Sequence, residues 1–124
     1  MSHQVYISGP MRGYPQFNFP AFAVMALKLR CAGHTVFNPA EKDEEKYGPE
    51  LATSNPTGDE ALSSHEFGFN LREALASDCK WICETATAIY MLRGWEKSKG
   101  ATAEHALADA LGHVLWYQKG AFRP

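Results

Sequence analysis

Two carboxylates stand out by placement. Glu104 opens a small-residue helical pattern, Ala103 to Leu111, directly behind the glycine-punctuated stretch Arg93–Gly100. An acid in a helix's first turn is held ionised by the helix dipole, which suits a nucleophile better than a proton donor; the same placement also serves simply to complement the dipole. Asp78 falls in line with Leu71, Ala74, Leu75, Trp81 and Ile82 on the apolar stripe of another helical pattern. A carboxylate there needs partners or takes a raised pKa by desolvation, unless it reaches water from the helix flank. An ionised glutamate and a second carboxyl of raised pKa form the pair used in retaining glycosidic chemistry. Glu104 would then attack an anomeric carbon, and Asp78 would handle protons at the leaving group or the attacking water. Two glycine loops, Arg12, Ser98 and a helix N-terminus could hold a phosphate. These parts suit a phosphorylated sugar with a leaving base. The plainer readings are a loop-surface cation for Arg12 and a turn residue ahead of the helix for Ser98.

Other chemistry-bearing residues lead less far. Cys79 and Cys83 stand four apart on one predicted helix and Cys31 near the end of another. Five scattered histidines supply no second pair at zinc-like spacing and no HExxH, so neither a metal nor another cofactor is expected. The thiols are expected to be reduced and buried or half-buried.

These residues need a frame. Gln4–Ser8 reads as a first strand and ends in the loop Gly9–Gly13. Asn18 is placed to cap the next helix, with Pro20 in its first turn and Phe22, Met25, Ala26 and Leu29 as its core face. Gly33 stops that helix, and Thr35–Asn38 is a brief second strand closed by Pro39. From about residue 41 to 65 the chain turns polar, with Gly48, Pro49, Pro56 and Gly58 as punctuation, and is expected to be a long loop, either a lid or a plain surface loop. Its charge cluster, Glu41 to Lys46, reads most simply as a solvated face. A helix over about Glu66 to Glu84, a strand over Ala86–Leu92, the Glu104 helix ended by Gly112 and a strand over His113–Tyr117 complete the series. The tail from Gln118 to Pro124 is too short and irregular to assign.

The alternation of strands and helices predicts an α/β fold, a flavodoxin- or Rossmann-like three-layer sandwich with a small parallel sheet of order 2-1-3-4 and helices on both faces. Ligands in such sheets bind beyond the strand C-termini at the switch point between the first and third strands. Those two ends carry Gly9–Gly13 and Arg93–Gly100, so the two loops are expected to converge.

Composition sets the outer bounds. The 124 residues suit one domain, and a formal net charge of -2 gives no basic footprint for nucleic acid and no polybasic patch for a membrane. No apolar run approaches the roughly 20 residues that span a bilayer, and no signal-peptide pattern is present, so a cytoplasmic protein is expected.

Three stretches together carry a family resemblance: Tyr6-Ile7-Ser8-Gly9-Pro10-Met11-Arg12-Gly13, Asn38-Pro39-Ala40-Glu41, and Gly94-Trp95-Glu96-Lys97-Ser98-Lys99-Gly100-Ala101 with Glu104. The combination resembles the nucleoside 2-deoxyribosyltransferase superfamily, in particular its largely phage and bacterial DUF4406-type branch, and is similar to the deoxynucleoside 5'-monophosphate N-glycosidases. The resemblance implies that Glu104 is the nucleophile forming a covalent glycosyl intermediate at C1', that Asp78 assists proton transfer to the base, and that Tyr6 lies beside the sugar. It implies that Ser98 binds the 5'-phosphate and that Ser8, Gly9, Pro10, Met11, Arg12 and Gly13, with Asn38, Gly94, Trp95 and Gly100, line the substrate pocket. It further implies a homodimer or higher homo-oligomer in which a neighbour's C-terminal segment closes the pocket. Thr87 and Arg93 depart from the family pattern, which often has aspartate and proline there. Arg93 either adds a phosphate contact or faces solvent. Tyr6 alternates with Val5 and Ile7, so a purely packed strand tyrosine is the plainer reading. Trp95 is either a base-stacking platform or, the favoured reading, a packed loop anchor.

Three functions are therefore weighed. The first is hydrolysis of the N-glycosidic bond of nucleoside or 2'-deoxynucleoside 5'-monophosphates, giving free base and sugar 5-phosphate. The second is deoxyribosyl transfer between bases, and the third a nucleotide-binding module without turnover. An intact Glu104 and Asp78 favour the enzymes, and Arg12 with Ser98 favours the monophosphate.

Overall fold

The computed structural model describes residues 2–53, 55–60 and 70–124. Four parallel strands form one sheet in the order β2-β1-β3-β4, as expected: β1 (Gln4–Ser8), β2 (Thr35–Phe37), β3 (Ala88–Met91) and β4 (Val114–Tyr117). The helices are α1 (Phe19–Cys31), α2 (Pro39–Tyr47), α3 (Glu50–Thr53), α4 (Leu71–Glu84) and α5 (Lys99–Ala110), with short 3-10 turns at Pro15–Asn18 and Trp95–Lys97.

Strand alternation divides the core in two. Val5, Ile7 and Ala88 point to the face packed by Phe22, Met25, Ala26 and Leu29 of α1, together with Ala40 and Leu51. Tyr6, Ile89 and Met91 point to the other face, against Ile82 of α4 and Ala101 and Ala108 of α5. The positions following Tyr6 by one strand period therefore deliver Ser8 to the α5 side.

The long loop expected at about 41–65 is corrected. Residues 39–47 and 50–53 are helical; residues 54 and 61–65 lie outside the described residues, as does the expected helical stretch 66–69. The start of α2 is well specified, since Asn38 Oδ1 accepts from Ala40 N at 2.9 Å and Pro39 stands in the first turn. Ion pairs hold its charged face: Arg30 donates twice to Glu41 at 2.6 Å, and Lys46 reaches Glu73 at 2.7 Å.

Asn18 also differs from expectation. It stands at the N-cap position of α1 but makes no side-chain cap, and its Nδ2 donates instead to Pro10 O at 3.0 Å. The reason is its backbone: Gln16, Phe17 and Asn18 form a left-handed turn with φ of 52, 53 and 62°. Three consecutive L-residues there are unfavourable by about 1–2 kcal/mol each. Burial of Phe17 and the bonds Phe17 N to Tyr14 O (2.9 Å) and Gln16 N to Asn55 O (3.1 Å) offset that cost.

The segment Asn55–Glu60 is fastened over this turn. Gly13 N donates to Gly58 O at 3.0 Å, and Asn55 Oδ1 accepts from Gly58 N and Asp59 N at 3.0 and 3.1 Å. Gly58 has φ +73°, and a Cβ there would lie 2.2 Å from Tyr14 O. Gly58→Ala is accordingly expected to lower stability by about 2 kcal/mol or more, from backbone strain plus displacement of the segment. Denaturant unfolding measures it, and a change under about 0.5 kcal/mol would show that the segment yields freely.

The cysteines are less buried than expected. Cys31 and Cys83 are exposed and Cys79 is half-buried, all unpaired. Cys79 and Cys83 follow the flank of α4 rather than its apolar stripe, so they do not share the core with Ile82.

Candidate active site

A pocket opens beyond the C-terminal ends of β1 and β3, between the two glycine loops. Its deepest carboxyl is Glu104, 6% exposed. β1 supplies both of its hydrogen-bond donors: the Tyr6 hydroxyl donates to Oε2 at 2.7 Å and the Ser8 hydroxyl to Oε1 at 2.6 Å. Tyr6 is fully buried and stacked on Phe37, with ring centroids 5.4 Å apart, so its hydroxyl has little freedom. The same hydroxyl lies in hydrogen-bonding reach of Asp78.

Glu104 does not sit in the first turn of its helix. Ser98 is the N-cap, its Oγ accepting from Ala101 N at 3.2 Å, and α5 begins at Lys99. Glu104 is thus well past the reach of the helix dipole, which fades within one turn. Its expected ionisation is corrected too. Burial lifts its pKa from 4.5 to about 8, aided by the nearby charge of Asp78 and opposed by the hydrogen bonds from Ser8 and Tyr6. Asp78 behaves as its place on the stripe suggested: desolvation raises its pKa to about 7, against the Tyr6 hydrogen bond.

A third carboxyl joins them. Asp43 of α2 lines the same pocket, and burial, then the charge of Asp78, raise its pKa to about 7 against Lys46. The sequence reading assigned it to a solvated charge run. A signal was present, because Ala40, Asp43, Glu44 and Tyr47 follow helical spacing and Ala40 is buried. A fourth carboxyl, Glu60, lies on the wall beside Arg12, with Oε2 3.5 Å from Nη1.

Of the other residues expected at the site, Gly9, Met11, Arg12, Ser98 and Gly100 line the pocket. Pro10, Gly13, Asn38, Gly94 and Trp95 do not. Gly94 and Pro10 instead bring the two loops together: a Cβ on Gly94 would lie 3.4 Å from Pro10 Cγ. Asn38 caps α2 through Oδ1, and its buried Nδ2 has no hydrogen-bond partner among the described residues. Trp95 is 4% exposed, stacks on His105 at 4.4 Å and donates Nε1 to Phe122 O at 2.9 Å. It is a loop anchor that also ties down the tail, and the base-stacking platform is withdrawn. Arg93 flanks a separate surface groove with Lys28 and Lys119.

Several walls escaped the sequence reading. Phe17, Phe19 and Phe22 enter from one side and Leu51 from α3, facing Leu71, Ala74 and Leu75 of α4. The first half of the α4 stripe therefore faces a cavity, while Ile82 is buried in the solid core and Trp81 packs against it. The result is an apolar chamber with acids and hydroxyls at its floor. Among the described residues no group of three or more His, Cys, Asp or Glu is arranged to hold a metal ion, and no helix is long and apolar enough to cross a membrane.

A family model described as Domain of unknown function (DUF4406) matches residues 3–117, nearly the whole chain. No curated protein and no solved structure matches.

Proposed function

We propose, for a chain that belongs to the DUF4406 family, hydrolysis of the N-glycosidic bond of nucleoside or 2'-deoxynucleoside 5'-monophosphates through a glycosyl ester on Glu104. The observation that carries this reading is the buried pair Glu104 and Asp78 meeting at one tyrosine hydroxyl, with the Tyr6 and Ser8 hydroxyls both donating to Glu104. Two buried carboxyls so close share protons rather than both ionising. Burial holds the resting proton on Glu104, and the two hydroxyls stabilise the state in which Glu104 is ionised and the proton has passed to Asp78. That is the productive state.

In the first step a Glu104 oxygen forms a bond to C1', and the C1'–N bond breaks with its electron pair passing to the base. Asp78 delivers its proton to the leaving base. In the second step the Asp78 carboxylate takes a proton from water as the water oxygen bonds to C1', and the ester bond breaks to return the Glu104 carboxylate. Free base and sugar 5-phosphate leave. The apolar chamber accepts the flat base, and the 5'-phosphate lies at the α5 N-terminus, where Ser98, Gly100 and Ala101 meet the pocket.

The test is chromatography of base release from a panel of nucleoside and 2'-deoxynucleoside 5'-monophosphates and the matching nucleosides, with and without added free base. Release from monophosphates supports the reading. Exchange of base on nucleosides alone would replace it with deoxyribosyl transfer, a reading favoured by one observation, the engagement of Arg12 by Glu60. Ligand binding without release would leave only a binding module. Ser98→Ala is expected to raise KM for monophosphates about tenfold, through loss of one hydrogen bond to a charged group. An equal rise for unphosphorylated nucleosides would remove Ser98 from phosphate binding.

A further inference from the structure

Arg12 is the cation among the described residues that line the pocket, and it does not wait alone. Glu60 lies against it, yet the Glu60 Oε2 atom is buried and lacks a hydrogen-bond partner among the described residues. A carboxylate oxygen removed from water without a donor is poorly placed, and an ion pair this open to solvent is weak compensation. Glu60 is nonetheless held there by construction. It follows directly on Asn55–Asp59, the segment that Asn55 organises and that Gly13 and Gln16 fasten to the very loop bearing Arg12.

We propose that Glu60 sets the choice between phosphorylated and free 5' ends: in the empty pocket its carboxylate occupies the anion position on Arg12, and a sugar phosphate must displace it while a sugar hydroxyl need not. This rests on the pocket being a nucleoside or nucleotide site. Phosphate and the Glu60 carboxylate compete for one guanidinium, and a second anion beside an ionised Glu60 meets like-charge repulsion. Removing the Glu60 charge releases Arg12 and lowers that repulsion together. If Glu60 only held Arg12 in position, its removal would weaken phosphate binding. The two roles differ in sign.

The experiment is calorimetric titration of 2-deoxyribose 5-phosphate into the full-length wild type, Glu60→Gln, and Glu45→Gln as a charge-matched control whose carboxylate pairs with Lys42 on the exposed side of α2. Glu60→Gln is expected to bind the probe about tenfold tighter at low ionic strength, with the gain shrinking in 1 M salt. Glu45→Gln is expected to match the wild type. In turnover, Glu60→Gln is expected to lower KM for monophosphates by a similar factor relative to KM for the matching nucleosides. Equal or weaker binding by Glu60→Gln, an equal gain in Glu45→Gln, or no binding by any of the three overturns the proposal. Absence of base release by the wild type defeats the hydrolase reading separately, and the binding comparison still decides the role of Glu60.

Discussion

Glu104→Gln is expected to reduce base release by about 10⁴-fold or more, the scale on which covalent nucleophiles are missed, while binding of 2-deoxyribose 5-phosphate persists. The amide is close in shape to the protonated acid that burial favours, so the fold should tolerate it. One of the two donors, Tyr6 or Ser8, then faces an N–H₂ group in place of an oxygen and loses its acceptor. Glu104→Ala removes both acceptors and opens a void, so it would confuse folding with chemistry. Single-turnover base release and calorimetry on Glu104→Gln separate the two. Turnover within tenfold of the wild type would take Glu104 out of the mechanism, whatever its burial.

The stability of the wild type is expected to fall as pH rises from about 5 to 8, which is unusual for a protein with more acids than bases. The sign follows from the pocket. Asp43 and Asp78 have ordinary values near 3.8 and folded values of about 7, and Glu104 moves from 4.5 to about 8. Between those limits the folded chain binds protons that the unfolded chain has released. Stability from these groups is therefore complete below about pH 4 and is lost as pH climbs through 7 and 8. Each such proton contributes a slope of at most about 1.4 kcal/mol per pH unit. Two groups act the other way. Glu41, lowered by its hydrogen bonds to Arg30, gives stability that disappears only in acid below its ordinary range, and His105, lowered by burial, loses stability as pH falls below 6.5. The three carboxyls outnumber them across the window. Urea titrations at five pH values should show the fall, and Asp43→Asn or Asp78→Asn should each flatten it. A wild-type curve that is flat or rising from pH 5 to 8 would mean that these carboxyls reach water in the folded state.

Legibility varied with what each residue's signal competed against. The sheet was plain in the sequence because β1 and β3 are β-branched and aromatic runs closed by glycine, and parallel order follows from the helices between them. Asp78 was found because one charge interrupts an apolar stripe. Asp43 was hidden because five charged neighbours surround it and only Ala40 and Tyr47 mark the inward face. Helix α5 starts four residues earlier than expected because Gly100, which reads as loop, is tolerated behind a Ser98 cap. The role of Ser8 depends on strand pairing across nearly a hundred residues of chain, which no local pattern encodes. Glu104 lines the pocket, and its expected ionisation does not hold, since a dipole argument from sequence cannot weigh the cost of full burial.

The left-handed turn at Gln16–Asn18 has a bearing on how this scaffold tolerates change. At positions 16 and 18 glycine, asparagine or aspartate is the comfortable choice, and β-branched residues are the least so. Position 17 is caught between opposing demands, a backbone that would welcome glycine and a cavity wall that needs the phenyl ring. Sequence drift is thus free to relax the flanks of the turn while its centre is fixed by the contents of the chamber. In a library of functional variants, the middle of this turn would register the shape of the ligand and its edges only the geometry of the chain.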